Sequence, residues 1–277
     1  MHYIYKVLAE ASNELKEISG SNSIREARIL LEFVLKNQEK FLNTNHNISN
    51  DDFIFFKRLI KKRLNFQPIS QIIGERYFWK NKFFINSDVL DPRPDTETLI
   101  EHTLSFGSFF NILDLGTGSG CIILSLLDEY NEAMGIGVDK SKKALNVARK
   151  NAKLLNLNGR VKFQLGDWCD GLGDKFDLIV SNPPYISEKE TLTLSNDVLN
   201  WEPRIALTPE GDGLAAYKNI INGVKNILKP NGRLIFEIGH AQGNQVLNLL
   251  KSNNFKEINI IKDINNKDRV ISALWYV

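Results

Sequence analysis

The stretch Asn111-Ile112-Leu113-Asp114-Leu115-Gly116-Thr117-Gly118-Ser119-Gly120 decides the fold. Its first five residues form a strand-like run, and the alternating glycines then lead into a helical pattern over 119–130. Glycine accepts backbone angles that other residues resist, and a helix N-terminus favours negative charge, so such a loop lets a ligand approach the main chain closely. Downstream, strand-like and helix-like runs alternate. Strands are predicted at 111–115, 134–139, 160–165, 176–181, 232–238, 256–261 and 269–276, and helices at 119–130, 141–156, 213–228 and 242–252. This order predicts an α/β fold with an open, mostly parallel, Rossmann-like seven-stranded sheet covered by helices on both faces. Only the Lys262–Asp268 segment separates the last two strands, too little for a parallel crossover, so they are predicted to pair antiparallel at the sheet edge.

Upstream, residues 1–72 read as a small all-α domain. Ile4, Val7 and Leu8, then Ile29, Leu30, Phe33 and Val34, then Phe53, Phe56, Leu59 and Ile60 recur at helical spacing. Ser23, with Glu26 three residues on, is the expected cap of one helix, and Pro68 the expected end of the last. Residues 73–90 read as a hairpin linker, with Tyr77-Phe78-Trp79 and Lys82-Phe83-Phe84-Ile85 around Lys80-Asn81, and residues 91–277 as the ligand-binding domain.

Composition narrows the function classes. The 277 residues are 43% hydrophobic and 25% charged with a formal net charge of +2, which suits a folded protein and gives no electrostatic mandate for nucleic acid. No apolar run is long enough to span a membrane, and the start Met1-His2-Tyr3-Ile4-Tyr5-Lys6 lacks a secretory leader pattern, so a cytoplasmic protein without a membrane partner is expected. Cys121 and Cys169 stand far apart and the four histidines are scattered, so no metal site is expected.

Asp139 ends the second strand about 20 residues after the glycine loop, where an acidic group can accept from ribose hydroxyls. The loop therefore reads as a nucleoside site. A dinucleotide fingerprint would put glycine at position 121, which is Cys, and Asp114 adds negative charge beside any pyrophosphate. A zwitterionic amino-acid group suits the loop better, with its carboxylate on the amides and its ammonium near Asp114. S-adenosylmethionine carries such a group together with a ribose and an adenine. Asp167-Trp168, after the third strand, offer an acceptor for the adenine amino group and a flat neighbour for its ring, although Asp167 could equally cap a helix and Trp168 could be core.

The fourth strand ends in Asn182-Pro183-Pro184-Tyr185. The Asn182 carbonyl and the Pro183 peptide carbonyl can accept from the two N–H groups of a planar amino or amide nitrogen, and neither proline offers a competing donor. Tyr185 can stack on the flat face of the acceptor. An ordinary strand-ending turn is the alternative for the same residue types.

In this order, the loop, Asp139 and the Asn-Pro-Pro-Tyr turn resemble class I methyltransferases that modify amino nitrogens. More narrowly, the chain resembles the release factor glutamine methyltransferase family, the bacterial PrmC/HemK proteins. That narrower resemblance rests on Gln67-Pro68-Ile69, Gly74-Glu75-Arg76-Tyr77-Phe78, Asp91-Pro92-Arg93-Pro94-Asp95-Thr96-Glu97, Phe236-Glu237-Ile238-Gly239 and Asp268-Arg269-Val270. It implies S-adenosylmethionine contacts from Gly116, Thr117, Gly118, Ser119, Gly120, Asp139, Asp167, Trp168 and Asn182. Asn182, Pro183 and Tyr185 would act at the transferred methyl, and Asn182 to Tyr185 would hold a substrate glutamine. Arg93 to Glu97 would line the cofactor mouth, with Asp95 expected also to cap a helix. The implied reaction is methylation of the side-chain amide nitrogen of the Gly-Gly-Gln glutamine in class I peptide chain release factors, by a monomer acting on no nucleic acid directly. The residues alone leave open an adenine-N6 methyltransferase, whose only candidate basic face is Lys57-Arg58 with Lys61-Lys62-Arg63.

Overall fold

The structure is a computed structural model that describes residues 2–35 and 46–276. The part of the expected helical domain at 36–45 lies outside the described residues, as do Met1 and Val277. The chain forms two compact units, one built from Met1–Glu75 with Ser195–Trp201, the other from Arg76–Leu194 with Glu202–Val277. Among the described residues no helix is long and apolar enough to cross a membrane.

The first unit contains β1 (His2–Tyr3), α1 (Ile4–Ser19), α2 (Ser23–Val34), β2 (Asn47–Ile48), α3 (Asn50–Leu64) and α4 (Ile69–Ile73). The helical periodicity is realised as a core in which Ile4, Leu15, Leu30, Leu31, Phe56 and Ile60 are fully or almost fully buried. Two expected boundaries differ. Ser23 does not cap α2; it is buried, and its hydroxyl pairs with that of Ser12 at 3.0 Å. Glu26 instead takes a bidentate hydrogen bond from buried Arg63, at 2.8 and 3.1 Å. Arg63 is therefore not part of a solvated basic face. Helix α3 ends at Leu64, and Pro68 starts α4 rather than closing α3, as its missing N–H permits. Trp201 joins this unit through Gln71 Nε2, which donates to its carbonyl at 2.8 Å, and through its own Nε1, which donates to the Asn65 carbonyl at 2.9 Å.

At the unit boundary β3 (Glu75–Phe78) and β4 (Asn81–Phe84) form the expected two-stranded hairpin. The second unit continues with α5 (Glu97–Leu104), β5 (Asn111–Leu115), α6 (Cys121–Glu129), β6 (Met134–Asp139), α7 (Lys142–Leu154), β7 (Val161–Leu165) and β8 (Phe176–Ser181). Short helices α8 (Glu188–Thr191), α9 (Asn196–Trp201, part of the first unit) and α10 (Arg204–Leu207) follow. The chain ends with α11 (Ala215–Val224), β9 (Leu228–Glu237), α12 (Gly243–Ser252), β10 (Lys256–Lys262) and β11 (Asp268–Trp275).

The seven strands lie in the order β10-β11-β9-β8-β5-β6-β7. Pairing is parallel from β9 to β7, whereas β11 runs antiparallel to both β9 and β10. The antiparallel strand is thus second from the edge. Its insertion lets a short connection reverse the chain after β10. Alternate residues serve opposite faces, as the strand period of two requires. Ile112, Leu178, Val180 and Ile235 pack into the core beneath α5, α6 and α7, while Leu113, Ile179, Leu234 and Phe236 pack into the one beneath α11 and α12. Strand β9 begins four residues before the predicted start, because the turn-like Pro230-Asn231-Gly232 is absorbed as an irregularity between the pairs Phe176↔Leu228 and Leu178↔Arg233.

Asn151 fastens three parts of this unit together. It is fully buried on α7; its Oδ1 accepts from Phe84 N at 2.7 Å, and its Nδ2 donates to Phe84 O at 3.1 Å and to Ser119 O at 2.9 Å. Asn151→Ala would strand these main-chain groups in a dry site, at about 1–3 kcal/mol for each group left unsatisfied. Urea unfolding should therefore show a loss of at least about 2 kcal/mol. A loss below about 0.5 kcal/mol would mean that this clamp is not stabilising.

Candidate active site

The site lies at the carboxyl ends of β5, β6 and β8. Strand order reverses between β5 and β8, and such a reversal leaves a crevice outside the strand ends. The glycine loop leaves β5 with Gly116, Gly118 and Gly120 at φ of 73°, 56° and 80°, the left-handed region that explains the glycine spacing. Gly116 N and Thr117 N both donate to Val138 O at 2.9 Å, which fixes the loop to the end of β6. Asp114 departs from expectation. It has no exposed surface, and its Oδ2 accepts from Thr117 Oγ1 at 2.7 Å, so in this structure it braces the loop from behind. Burial raises its pKa to about 7 despite the Thr117 hydroxyl. Its Oδ1 has no hydrogen-bond partner.

Asp139 ends β6 with Oδ2 accepting from Gly118 N and Oδ1 from Ser141 N, each at 2.8 Å. Burial raises its pKa, and the backbone donors at Ser141 and Gly118 oppose the rise. Asp167 pairs with Lys140 at 2.9 Å, both side chains standing largely in solvent. The Trp168 indole packs over the loop, such that a Cβ on Gly116 would stand 3.5 Å from its ring, and it also packs against the second core. Trp168 thus packs against the core and also lines the cleft.

Gly116, Gly118, Asp139, Asp167, Trp168, Asn182 and Pro184 line a single cleft of about 250 Å³. Val89, Leu90, Ile205, Ala206 and Thr208 complete its wall, contributions that carried no motif in the sequence. Thr117 and Ser119 are buried behind the loop. The polar and aromatic groups of the wall suit S-adenosylmethionine. The wall offers an acidic side chain with further acceptor capacity at the end of β6, an indole face, an acceptor at Asp167 and accessible backbone at Gly116 and Gly118, although the amides of Gly116, Thr117 and Gly118 are taken by Val138 and Asp139.

The Asn-Pro-Pro-Tyr turn enters the same cleft through Asn182 and Pro184. Ser181 Oγ donates to Leu115 O at 2.6 Å, fastening the root of the turn to the root of the glycine loop. Asn182 Nδ2 donates to Thr96 Oγ1 at 3.4 Å, which uses one of its two N–H groups and leaves Oδ1 as an acceptor. Tyr185 points away from the cleft wall, its hydroxyl donating to Glu237 Oε1 at 3.4 Å. Gln242 Nε2 donates to Tyr185 O at 2.9 Å, and a Cβ on Gly213 would lie 2.4 Å from that oxygen, so only glycine fits there.

Behind the turn stands a charged cluster that only the folded chain brings together. Glu237 is buried at the end of β9, its pKa raised to about 7 by burial against the lowering effects of Thr96, Arg269 and Tyr185. Arg269 pairs with Asp95 at 3.1 Å and with Asp263 at 3.2 Å. Asp95 therefore serves an ion pair instead of the expected helix cap, and Pro94–Thr96 forms a single 3₁₀ turn before α5. Arg93 holds Glu202, a nearly buried side chain, at 2.6 Å. One sign was available beforehand: a glutamate inside the apolar run Ile235-Phe236-Glu237-Ile238 has to find partners.

Comparison with known proteins agrees with this geometry. Residues 6–74 match the family model described as the PrmC N-terminal domain, and residues 108–272 match that described as a methyltransferase domain. The chain is similar to the release factor glutamine methyltransferase of Caulobacter vibrioides, at 38% identity over 97% of this chain and 95% of that protein. It is also similar to the protein of that name from Cereibacter sphaeroides, at 44% identity over 79% and 78% of the two chains. A bifunctional methyltransferase of Rickettsia felis is 37% identical, and there the match spans 97% of this chain but 57% of the relative. Among solved structures, a methyltransferase from Pyrococcus furiosus shares the fold, with a TM-score of 0.52 at 16% identity over 70% of this chain and 89% of that one. The chain belongs to the release factor glutamine methyltransferase family.

Proposed function

We infer that this protein transfers a methyl group from S-adenosylmethionine to the side-chain amide nitrogen (N5) of the glutamine in the Gly-Gly-Gln motif of class I peptide chain release factors, tuning translation termination. The observation that carries this is the position of Asn182. It lines the cleft of Gly116, Asp139 and Trp168 while its own nitrogen is engaged by Thr96. Of the five candidate residues of a basic face, Arg63 is buried against Glu26 and Lys57 pairs with Glu14, which leaves Arg58, Lys61 and Lys62 exposed.

When bound, S-adenosylmethionine supplies an electrophilic methyl group on a sulfonium. Asp139 would hold its ribose, Trp168 and Asp167 its adenine, and the Gly116–Gly120 backbone its amino-acid end. An amide nitrogen is a poor nucleophile because its lone pair is delocalised into the carbonyl. Asn182 Oδ1 and the Pro183 carbonyl accept from its two N–H groups, which directs the remaining lone pair toward the cleft. Asn182 does not titrate, so it orients the amide, and the released proton passes to solvent. Positioning of this kind can supply roughly 7–11 kcal/mol, and one preorganised contact at the transition state about 2.7–4 kcal/mol.

The protein acts in the cytoplasm as a monomer, and residues 1–72 recognise the release factor without taking part in the chemistry. The support is that every cofactor and acceptor motif lies beyond position 90, while the first unit has a core of its own. Anchoring a remote surface of the substrate raises the effective concentration of one loop at the cleft.

Purified protein should methylate wild-type release factor on the Gly-Gly-Gln glutamine and leave a variant with Asn at that position unmodified, as read by peptide mass spectrometry. Methyl transfer to both, or to neither, would contradict the assignment. Asn182→Ala should bind S-adenosylmethionine within a few-fold of wild type but lose roughly 10²–10³ in kcat. Near-normal turnover would remove Asn182 from its role. Asp139→Ala should raise the cofactor Kd by about tenfold or more, through lost ribose contacts and freed loop amides, with less effect on the saturated single-turnover rate. A larger effect on that rate than on Kd would reverse the assignment. A chain starting near Gly74 that still binds cofactor should methylate full-length release factor far more slowly than a short Gly-Gly-Gln peptide relative to the intact enzyme. Equal slowing on both substrates would argue against recognition by residues 1–72.

A further inference from the structure

An Asn amide can face its substrate in two ways, related by a half-turn about its last side-chain bond, and only one presents the oxygen. The N–H groups of a substrate amide need an acceptor, so a flipped Asn182 would oppose donor to donor. What selects the orientation must lie on the other side of Asn182, and that side is Thr96. Thr96 is buried, and its Oγ1 accepts from Asn182 Nδ2. Its hydroxyl carries one proton, which can go either to Asn182 or away from it.

Beyond Thr96 lies Glu237. Its carboxylate receives the Tyr185 hydroxyl on Oε1 at 3.4 Å and is stabilised by the Thr96 hydroxyl. Oε2 has no hydrogen-bond partner, and the Thr96 hydroxyl stands near enough to lower the carboxyl pKa. The reaction as derived above gives Glu237 no task, and a buried carboxylate with one oxygen unpaired is costly to keep.

We propose that Glu237 and Thr96 are positioning residues that fix which end of the Asn182 amide faces the substrate. This rests on the functional proposal above. An ionised carboxylate only accepts, so it draws the Thr96 proton toward itself. The Thr96 lone pairs then face Asn182, where only Nδ2 can meet them, and Oδ1 is turned to the cleft. The same carboxylate draws the Tyr185 hydroxyl and so sets that ring. A neutral side chain at 237 can donate to Thr96, reverse the Thr96 hydroxyl and flip the amide.

The charge of Glu237 responds to its surroundings. Tyr185, Thr96 and Arg269 favour the ionised form, Asp95 opposes it, and Tyr217 and Cys121 feel its field from α11 and α6. Burial raises its pKa to about 7. Because the ionised form is the orienting one, the rate should fall as pH drops through that region and level off above it. Asp114 is also raised to about 7, so the profile has to be taken at saturating cofactor and assigned by variants.

The test compares wild type, Glu237→Gln, Thr96→Val and Thr96→Ser, using S-adenosylmethionine binding by calorimetry and single-turnover methylation of release factor across pH. Glu237→Gln and Thr96→Val should lose roughly tenfold or more in kcat, with cofactor Kd and release-factor KM within about threefold. Thr96→Ser, which restores the hydroxyl, should recover most of the rate. The step in rate near neutral pH should vanish in Glu237→Gln. A Glu237→Gln enzyme with wild-type kcat and an unmoved pH step would overturn the proposal, as would Thr96→Val matching Thr96→Ser. If Glu237→Gln fails to bind cofactor, the Thr96 pair decides alone. A wild-type protein inactive on release factor would sink the functional proposal and this one with it, whereas an active wild type with indifferent variants sinks only this one.

Discussion

The pairing of β5 with β8 is the constraint on which the site depends. Ile112, Leu113 and Asp114 run parallel beside Leu178, Ile179 and Val180, and the Ser181 hydroxyl closes the top of the pair on Leu115 O. Neither loop that leaves these strands could bind and orient by itself. In the reaction proposed above, the glycine loop would hold the cofactor and the Asn-Pro-Pro-Tyr turn the acceptor amide. Catalysis by alignment needs both within one cleft, held by a rigid sheet rather than by the loops themselves. The buried apolar side chains of β5 and β8 on the two sheet faces provide that rigidity.

Buried carboxyl groups behind the cleft oppose stability near neutral pH. Asp114 and Glu237 both have pKa values raised to about 7 by burial. A carboxyl whose folded pKa lies above its unfolded one binds its proton more tightly when folded. Its contribution is fully present below the unfolded value and is lost as pH rises toward about 7. Each therefore subtracts stability near neutrality, as expected where groups are kept for geometry. Arg269, pinned between Asp95 and Asp263, offsets part of the Glu237 charge.

The sheet and both loops were legible because their signals are local. Strand-like runs, three glycines in the left-handed region and a double-proline turn depend on neighbours in sequence. The seven strands and four principal helices of the second unit lie within a few residues of their predicted bounds. Polar roles set by distant partners were not legible. Asp95 looked like a helix cap until Arg269 claimed it, Ser23 until Ser12 did, and Arg63 looked like part of a basic face although it is buried against Glu26. Asn151 gave no sign that it clamps Phe84 and Ser119. Ser195–Trp201 could not be assigned to the first unit from sequence, because Trp201 is held by hydrogen bonds to Asn65 and Gln71, more than a hundred residues away. Thr96 and Glu237 belong to the same class, since only the folded chain brings them behind Asn182.

The proposed reaction requires Asn182 and Pro183 to hold the reacting amide. A crystal structure of the protein with S-adenosylhomocysteine and a peptide containing Gly-Gly-Gln would show this contact. The glutamine side-chain nitrogen should lie within hydrogen-bond distance of Asn182 Oδ1 and the Pro183 carbonyl oxygen, with Asn182 Nδ2 still on Thr96. A glutamine amide bound elsewhere in the cleft, or one that meets Asn182 through Nδ2, would contradict it.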